Sequence, residues 1–191
     1  MTYRIEIGLK RGVPDARGRG TATRSTSALQ LPVKSIQTRT IYQLDARLSR
    51  TELETVREAF TDPVIEIAAI GRLRPPPFDW LIEVGFKPGV TDNVGRTARI
   101  ALQDVLARPL AEDEAVYTAI QYFVRGTAGR RKTEDGEEEE KQTSNIQHPT
   151  SNVECRIADS EQDPTAYSLQ STASPPLTRG QIEHLAKDLL A

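Results

Sequence analysis

The strongest constraint on this chain is that it repeats itself. Residues 5–19 read IEIGLKRGVPDARGR and residues 82–96 read IEVGFKPGVTDNVGR; at an offset of 77 they agree at nine of fifteen positions. The shared residues are Ile5/Ile82, Glu6/Glu83, Gly8/Gly85, Lys10/Lys87, Gly12/Gly89, Val13/Val90, Asp15/Asp92, Gly18/Gly95 and Arg19/Arg96. A chain with two copies of one unit must fold as two similar pieces, each too small to bury its own apolar faces well.

Each copy opens with a segment, YRIEIGLK or WLIEVGFK, whose apolar and polar or small residues alternate at the period of a half-buried strand. A turn follows at KRG or KPG, where Gly12 and Gly89 supply a positive φ. Asp15 and Asp92 stand at helix N-cap positions, with carboxylates for the free N–H groups of the first turn. In the second copy the helix runs through Ala98, Ile100, Ala101, Val105 and Leu106. GRGTATRSTSAL in the first copy is rich in weak helix formers and is read as a helix through its twin. The repeat continues at an offset of 80, where SIQTRTIYQL (35–44) matches AVYTAIQYFV (115–124) and pairs Thr38 with Thr118 and Tyr42 with Tyr122.

In the first copy, SRTELETVREAFTD (49–62) predicts a second helix capped by Ser49, with Leu53, Val56, Ala59 and Phe60 on one face. Pro63 ends it, and residues 64–73 form a third strand. The unit is β-α-β-α-β. Its partner helix in the second copy is LTRGQIEHLAKDLLA (177–191), at an offset of 129, matching Leu53 to Ile182, Val56 to Leu185 and Phe60 to Leu189. The expected organisation is repeat 1 over 1–74, a proline link over 75–78, the front of repeat 2 over 79–126, an insertion over 127–177 and the closing helix over 178–191. The fold class is α+β: two tandem repeats as a pseudo-twofold pair, the second copy interrupted by the insertion and lacking its last strand. That copy stops short of its third strand, so the chain is expected to be the front piece of a longer protein.

The insertion has its own chemistry. Of its 51 residues ten are acidic, five basic and only six are Val, Ile, Leu, Phe, Tyr or Trp. Such a stretch buries too little to offset the entropy of ordering it, so it is expected to be disordered. Over the whole chain 25 basic and 27 acidic residues nearly cancel, which gives no bulk argument for nucleic acid. No apolar run approaches a membrane span and no signal segment opens the sequence, so the expectation is a cytoplasmic chain without nucleic-acid or membrane partners. Cys155, the sole cysteine, lies in the insertion with His148, a poor setting for a nucleophile. His184 in the last helix is read as a surface histidine. Glu6 and Glu83 are expected to face solvent or a partner subunit.

The strand followed by K-x-G-V-x-D-x-x-G-R and a helix resembles the small PurS subunit of phosphoribosylformylglycinamidine synthase. Two fused copies resemble the PurS-like N-terminal domain of that enzyme's large single-chain forms, over residues 3–126 and 177–191. The resemblance implies a role in purine biosynthesis, where the enzyme turns formylglycinamide ribonucleotide, glutamine and ATP into the amidine, glutamate, ADP and phosphate. It also implies that ATP and Mg belong to the synthetase domains and the glutaminase cysteine to another domain or subunit. No catalytic, cofactor-binding or metal residue carries over, and the chain alone is expected to be inactive. What carries over is an assembly role between synthetase and glutaminase. Lys10, Arg19, Lys87 and Arg96 are the interface candidates, and Gly12, Asp15, Gly89 and Asp92 form turns and caps. Arg19 and Arg96 lie in a helical first turn, where the dipole disfavours cations, which hints at an outside carboxylate; the plain solvated arginine is the slightly better reading. A phosphate loop is the poorer reading, since the motif is neither G-x-G-x-x-G nor a Walker loop and Asp15 and Asp92 would repel the anion. The alternative function is a free-standing small-ligand-binding or regulatory protein.

Overall fold

The alternating segments become strands and the capped segments become helices. The computed structural model describes residues 1–87, 89–127, 145–146, 153–159 and 177–187. In chain order the elements are β1 (Thr2–Leu9), α1 (Ala16–Ser27), β2 (Val33–Asp45), α2 (Arg50–Ala59), β3 (Glu66–Ile70), β4 (Trp80–Phe86), α3 (Asn93–Leu106), β5 (Ala115–Gly126), β6 (Asn145–Ile146), β7 (Val153–Asp159) and α4 (Arg179–Leu185). The fold is α+β, with four helices and an antiparallel sheet in the order β3-β1-β2-β5-β4, which β7 and β6 continue. Strands β2 and β5, which the repeat aligns, are neighbours.

The described chain divides into two compact units, each drawing on both halves of the sequence. The first holds residues 1–15, 38–74 and 84–121. In it β1 pairs antiparallel with β2 and β3, placing Ile5 opposite Tyr42 on one side and Ile70 on the other. Ile5, Ile7, Leu44 and Val116 form a core with Leu53 and Val56 of α2 and Ala98 and Leu102 of α3. Tyr42 meets Phe60 edge to face, with ring centroids 5.0 Å apart. The expected helical face needs one shift. Leu102 is fully buried whereas Ile100 is 58% exposed, because the apolar stripe of α3 runs through Ala98 and Leu102 at a spacing of four. Ala59 is likewise exposed.

Glu6 corrects a sequence expectation. Its side chain is buried and accepts hydrogen bonds from Arg4 Nε at 2.9 Å, Arg39 Nη1 at 3.2 Å and the Leu73 N–H at 2.9 Å. Arg39 also donates to the carbonyls of Leu73 and Arg74. Strand alternation correctly set Glu6 opposite the helices, but the backbone after β3 crosses that side of β1 and closes it. Burial pulls the Arg39 pKa down, and Glu6 opposes that shift.

The second unit holds residues 16–37, 75–83 and the described part of 122–191. Its buried apolar residues include Leu31, Val33, Ile36, Trp80, Ile82, Tyr122, Phe123, Val124, Leu177, Ile182 and Leu185. Trp80 donates its indole N–H to the Leu177 carbonyl at 3.0 Å, so the only tryptophan is both packed and satisfied. Helix α4 begins with a capping box, Thr178 with Gln181, and α2 begins with the same device, Ser49 with Glu52. These are the positions the offset of 129 aligns. The stretch expected to be a disordered insertion contributes β6 and β7, and β7 lies next to β4 of the copy expected to lack its last strand. Its first five residues, VECRI, alternate in type, a signal lost when composition is averaged over the whole insertion. The remainder of 127–177, with His148, lies outside the described residues apart from Thr127 and Leu177.

Gly95 shows why the repeat keeps a glycine inside a helix's first turn. A Cβ there would collide with the Val116 carbonyl of β5 and with the Asp92 carboxylate. Replacing it by alanine should therefore destabilise the protein by roughly 1–3 kcal/mol, despite alanine's better helix propensity. A thermal melt checks this; a variant as stable as the parent would show that α3 can retreat from β5 without cost.

Candidate functional site

The motif builds the same corner twice. After β1 the Val13 N–H donates to the Lys10 carbonyl, and after β4 the Val90 N–H donates to the Lys87 carbonyl, each at 3.1 Å. Gly12 and Gly89 sit third in these turns with φ of +91° and +85°, the left-handed region open to glycine. Each turn delivers an aspartate to the strand that follows the helix. Asp15 accepts from the Thr38 N–H at 2.6 Å and the Thr38 hydroxyl at 3.0 Å. Asp92 accepts from the Thr118 N–H at 2.6 Å and the Thr118 hydroxyl at 2.8 Å. Asp92 is also the N-cap of α3, receiving the Gly95 N–H at 2.7 Å. One carboxylate thus fixes a helix end to a strand. The carboxylates are consumed inside the fold and present no acid or base to a substrate.

The basic candidates separate into two kinds. Lys10 is half-buried and donates to the Pro63 carbonyl, while its backbone N–H bonds to the Ile65 carbonyl at 2.9 Å. It anchors the approach to β3. Lys87 is also half-buried. Arg19 on α1 and Arg96 on α3 are exposed, at equivalent places in the two copies. Glu83 is half-buried, and His184 is exposed on α4. Among the described residues no group of three His, Cys, Asp or Glu side chains could hold a metal ion. No helix among them is long and apolar enough to cross a membrane.

One feature escaped sequence reasoning. A shallow depression of about 460 Å³ is lined by Arg47, Arg108, Pro109, Leu110, Ala111 and Glu114. The buried Glu114 carboxylate accepts from the Arg47 N–H at 2.7 Å, the Ala111 N–H at 2.8 Å and Arg108 Nη1 at 3.2 Å. Arg108 reaches back to the Arg47 carbonyl at 2.9 Å, and Arg47 pairs with Asp113. Arg99 holds the Glu114 carbonyl at 3.0 Å and the Ala111 carbonyl at 3.0 Å. This cluster ties the loop before β5 to the loop after β2, and its charges are already matched. The nearest sequence signal was the acidic run EDE at 112–114, which does not reveal which carboxylate turns inward.

No family model matches the chain, and no curated protein matches it.

The Arg47 N–H above all, with the Ala111 N–H and the Arg108 guanidinium, holds the Glu114 pKa down from 4.5 to about 2. A folded-state pKa below the unfolded one stabilises the fold above the unfolded value. That contribution is lost as pH falls through the window from 4.5 towards 2. Melting temperatures across that window should therefore fall more steeply for the parent than for Glu114→Gln. Parallel curves would show that the carboxylate's charge contributes nothing there.

Proposed function

We propose that this chain is a non-catalytic assembly module of the PurS-like kind, joining the synthetase and glutaminase parts of phosphoribosylformylglycinamidine synthase. The observation that carries this reading is the twice-built corner. The K-x-G-V-x-D-x-x-G-R motif forms the same turn in each copy, and each aspartate fastens to the equivalent threonine. The adjacency of β2 and β5 supports two fused copies as a pseudo-twofold pair. The chemistry near the motif also fits: its carboxylates are spent on backbone and hydroxyl donors, leaving exposed arginines rather than a reactive centre. In this reading ATP and Mg bind the synthetase and the glutaminase supplies the nucleophilic cysteine. The module's part is to hold the two together along the path that ammonia takes.

The reading is tested by complementation. Added to a synthetase lacking its own PurS-like domain, together with the glutaminase, the chain should restore amidine formation from formylglycinamide ribonucleotide, glutamine and ATP. Alone it should neither hydrolyse ATP nor release ammonia from glutamine. Arg19→Ala combined with Arg96→Ala should weaken the complex on a sizing column while leaving the melting temperature within a few degrees, since both side chains are exposed. Turnover by the purified chain alone, or failure to join the other two polypeptides, would overturn it.

A further inference from the structure

The whole chain is close to neutral, yet its charge is unevenly distributed. Residues 16–37 contain Arg17, Arg19, Arg24 and Lys34 and no Asp or Glu. All four cations are exposed. Three of them lie on α1, whose buried residues are the small Gly18, Thr21 and Ser25. At the helical period Arg17 and Arg24 share one flank of the exposed surface, and Arg19 lies on the opposite flank, on the order of 150° around the axis. Among the described residues, none of the three arginine side chains makes a hydrogen bond or ion pair. Two of them stand in the first turn, where the helix dipole repels a cation. The aspartate preceding the helix, Asp15, has its carboxylate on Thr38. The equivalent helix α3 differs: its Arg99 is bound to the Leu110, Ala111 and Glu114 carbonyls, and Asp104 adds an acid.

We propose that α1 is a docking helix for an acidic polypeptide segment that crosses its exposed face, held by Arg17 and Arg24 on one flank and Arg19 on the other. Charge complementarity selects the occupant: guanidinium groups pair with carboxylates through two parallel hydrogen bonds. Nucleic acid is disfavoured, because residues 16–37 contain no Phe, Trp or Tyr on which a base could stack. The inference rests on the assembly reading only for the statement that the acidic segment belongs to an enzyme partner.

The test uses the full chain and a short fluorescein-labelled polyglutamate peptide, read by fluorescence anisotropy. Binding should be saturable, should weaken as salt rises, and should be absent with a polylysine peptide of equal length. The triple variant Arg17→Gln, Arg19→Gln, Arg24→Gln should bind roughly tenfold more weakly or worse, with an unchanged melting temperature. A charge-matched control, Arg50→Gln, Arg74→Gln, Lys187→Gln, should bind like the parent. Equal losses in both variants would reduce the effect to net charge and overturn the proposal. So would no polyglutamate binding, or tighter, arginine-dependent binding of a single-stranded oligonucleotide. If polyglutamate binds as expected while complementation fails, only the assembly reading falls. The reverse pattern removes only the docking helix.

Discussion

A carboxylate placed between a helix end and a neighbouring strand governs this fold. Asp92 receives the Gly95 N–H of its own helix and both donors of Thr118 on β5. Each bond is charge-assisted, and the aspartate is buried, so removing it would leave several donors without partners. The turn glycine matters because it aims the chain so that the aspartate arrives there. The helical glycine matters because α3 must come close enough to β5 for the bonds to form. Three positions of the motif are thus one mechanical device, and Asp15 repeats its strand half with Thr38.

The buried Glu6 with Arg4 and Arg39 has a different character. Desolvating such charges is costly, and their value lies less in net stability than in what happens when one partner is lost. The carboxylate and guanidinium also grip the backbone at residues 73 and 74, so the path of the chain out of the first copy is fixed by charge rather than by apolar packing. Uncharged contacts would tolerate a shifted path more readily.

Much of this was readable from the residues. The turn glycines, the Ser49 cap and the strand periods are local features, and local sequence specifies them. The partnership of aspartate with threonine was not readable, because it depends on which strand lies beside the helix end. Glu6 was misjudged for a related reason: alternation assigns a residue to a side of the sheet without saying whether backbone later crosses that side. Ile100 and Leu102 illustrate a finer limit. Both fit a helical period, and the sheet beneath α3 selects between them. Strand β7 was hidden by averaging, since five alternating residues vanish in a long polar stretch. On α1 the sequence singled out Arg19 alone; the structure adds Arg17 and Arg24, exposed and without a side-chain partner among the described residues.

The two compact units each borrow from both copies of the repeat. The first takes α2 from one copy and α3 from the other; the second takes α1 and α4. A chain cut between residues 74 and 79 would therefore strip a helix from both units at once. Neither half of the sequence carries a unit of its own, so the two halves have to order together rather than one after the other.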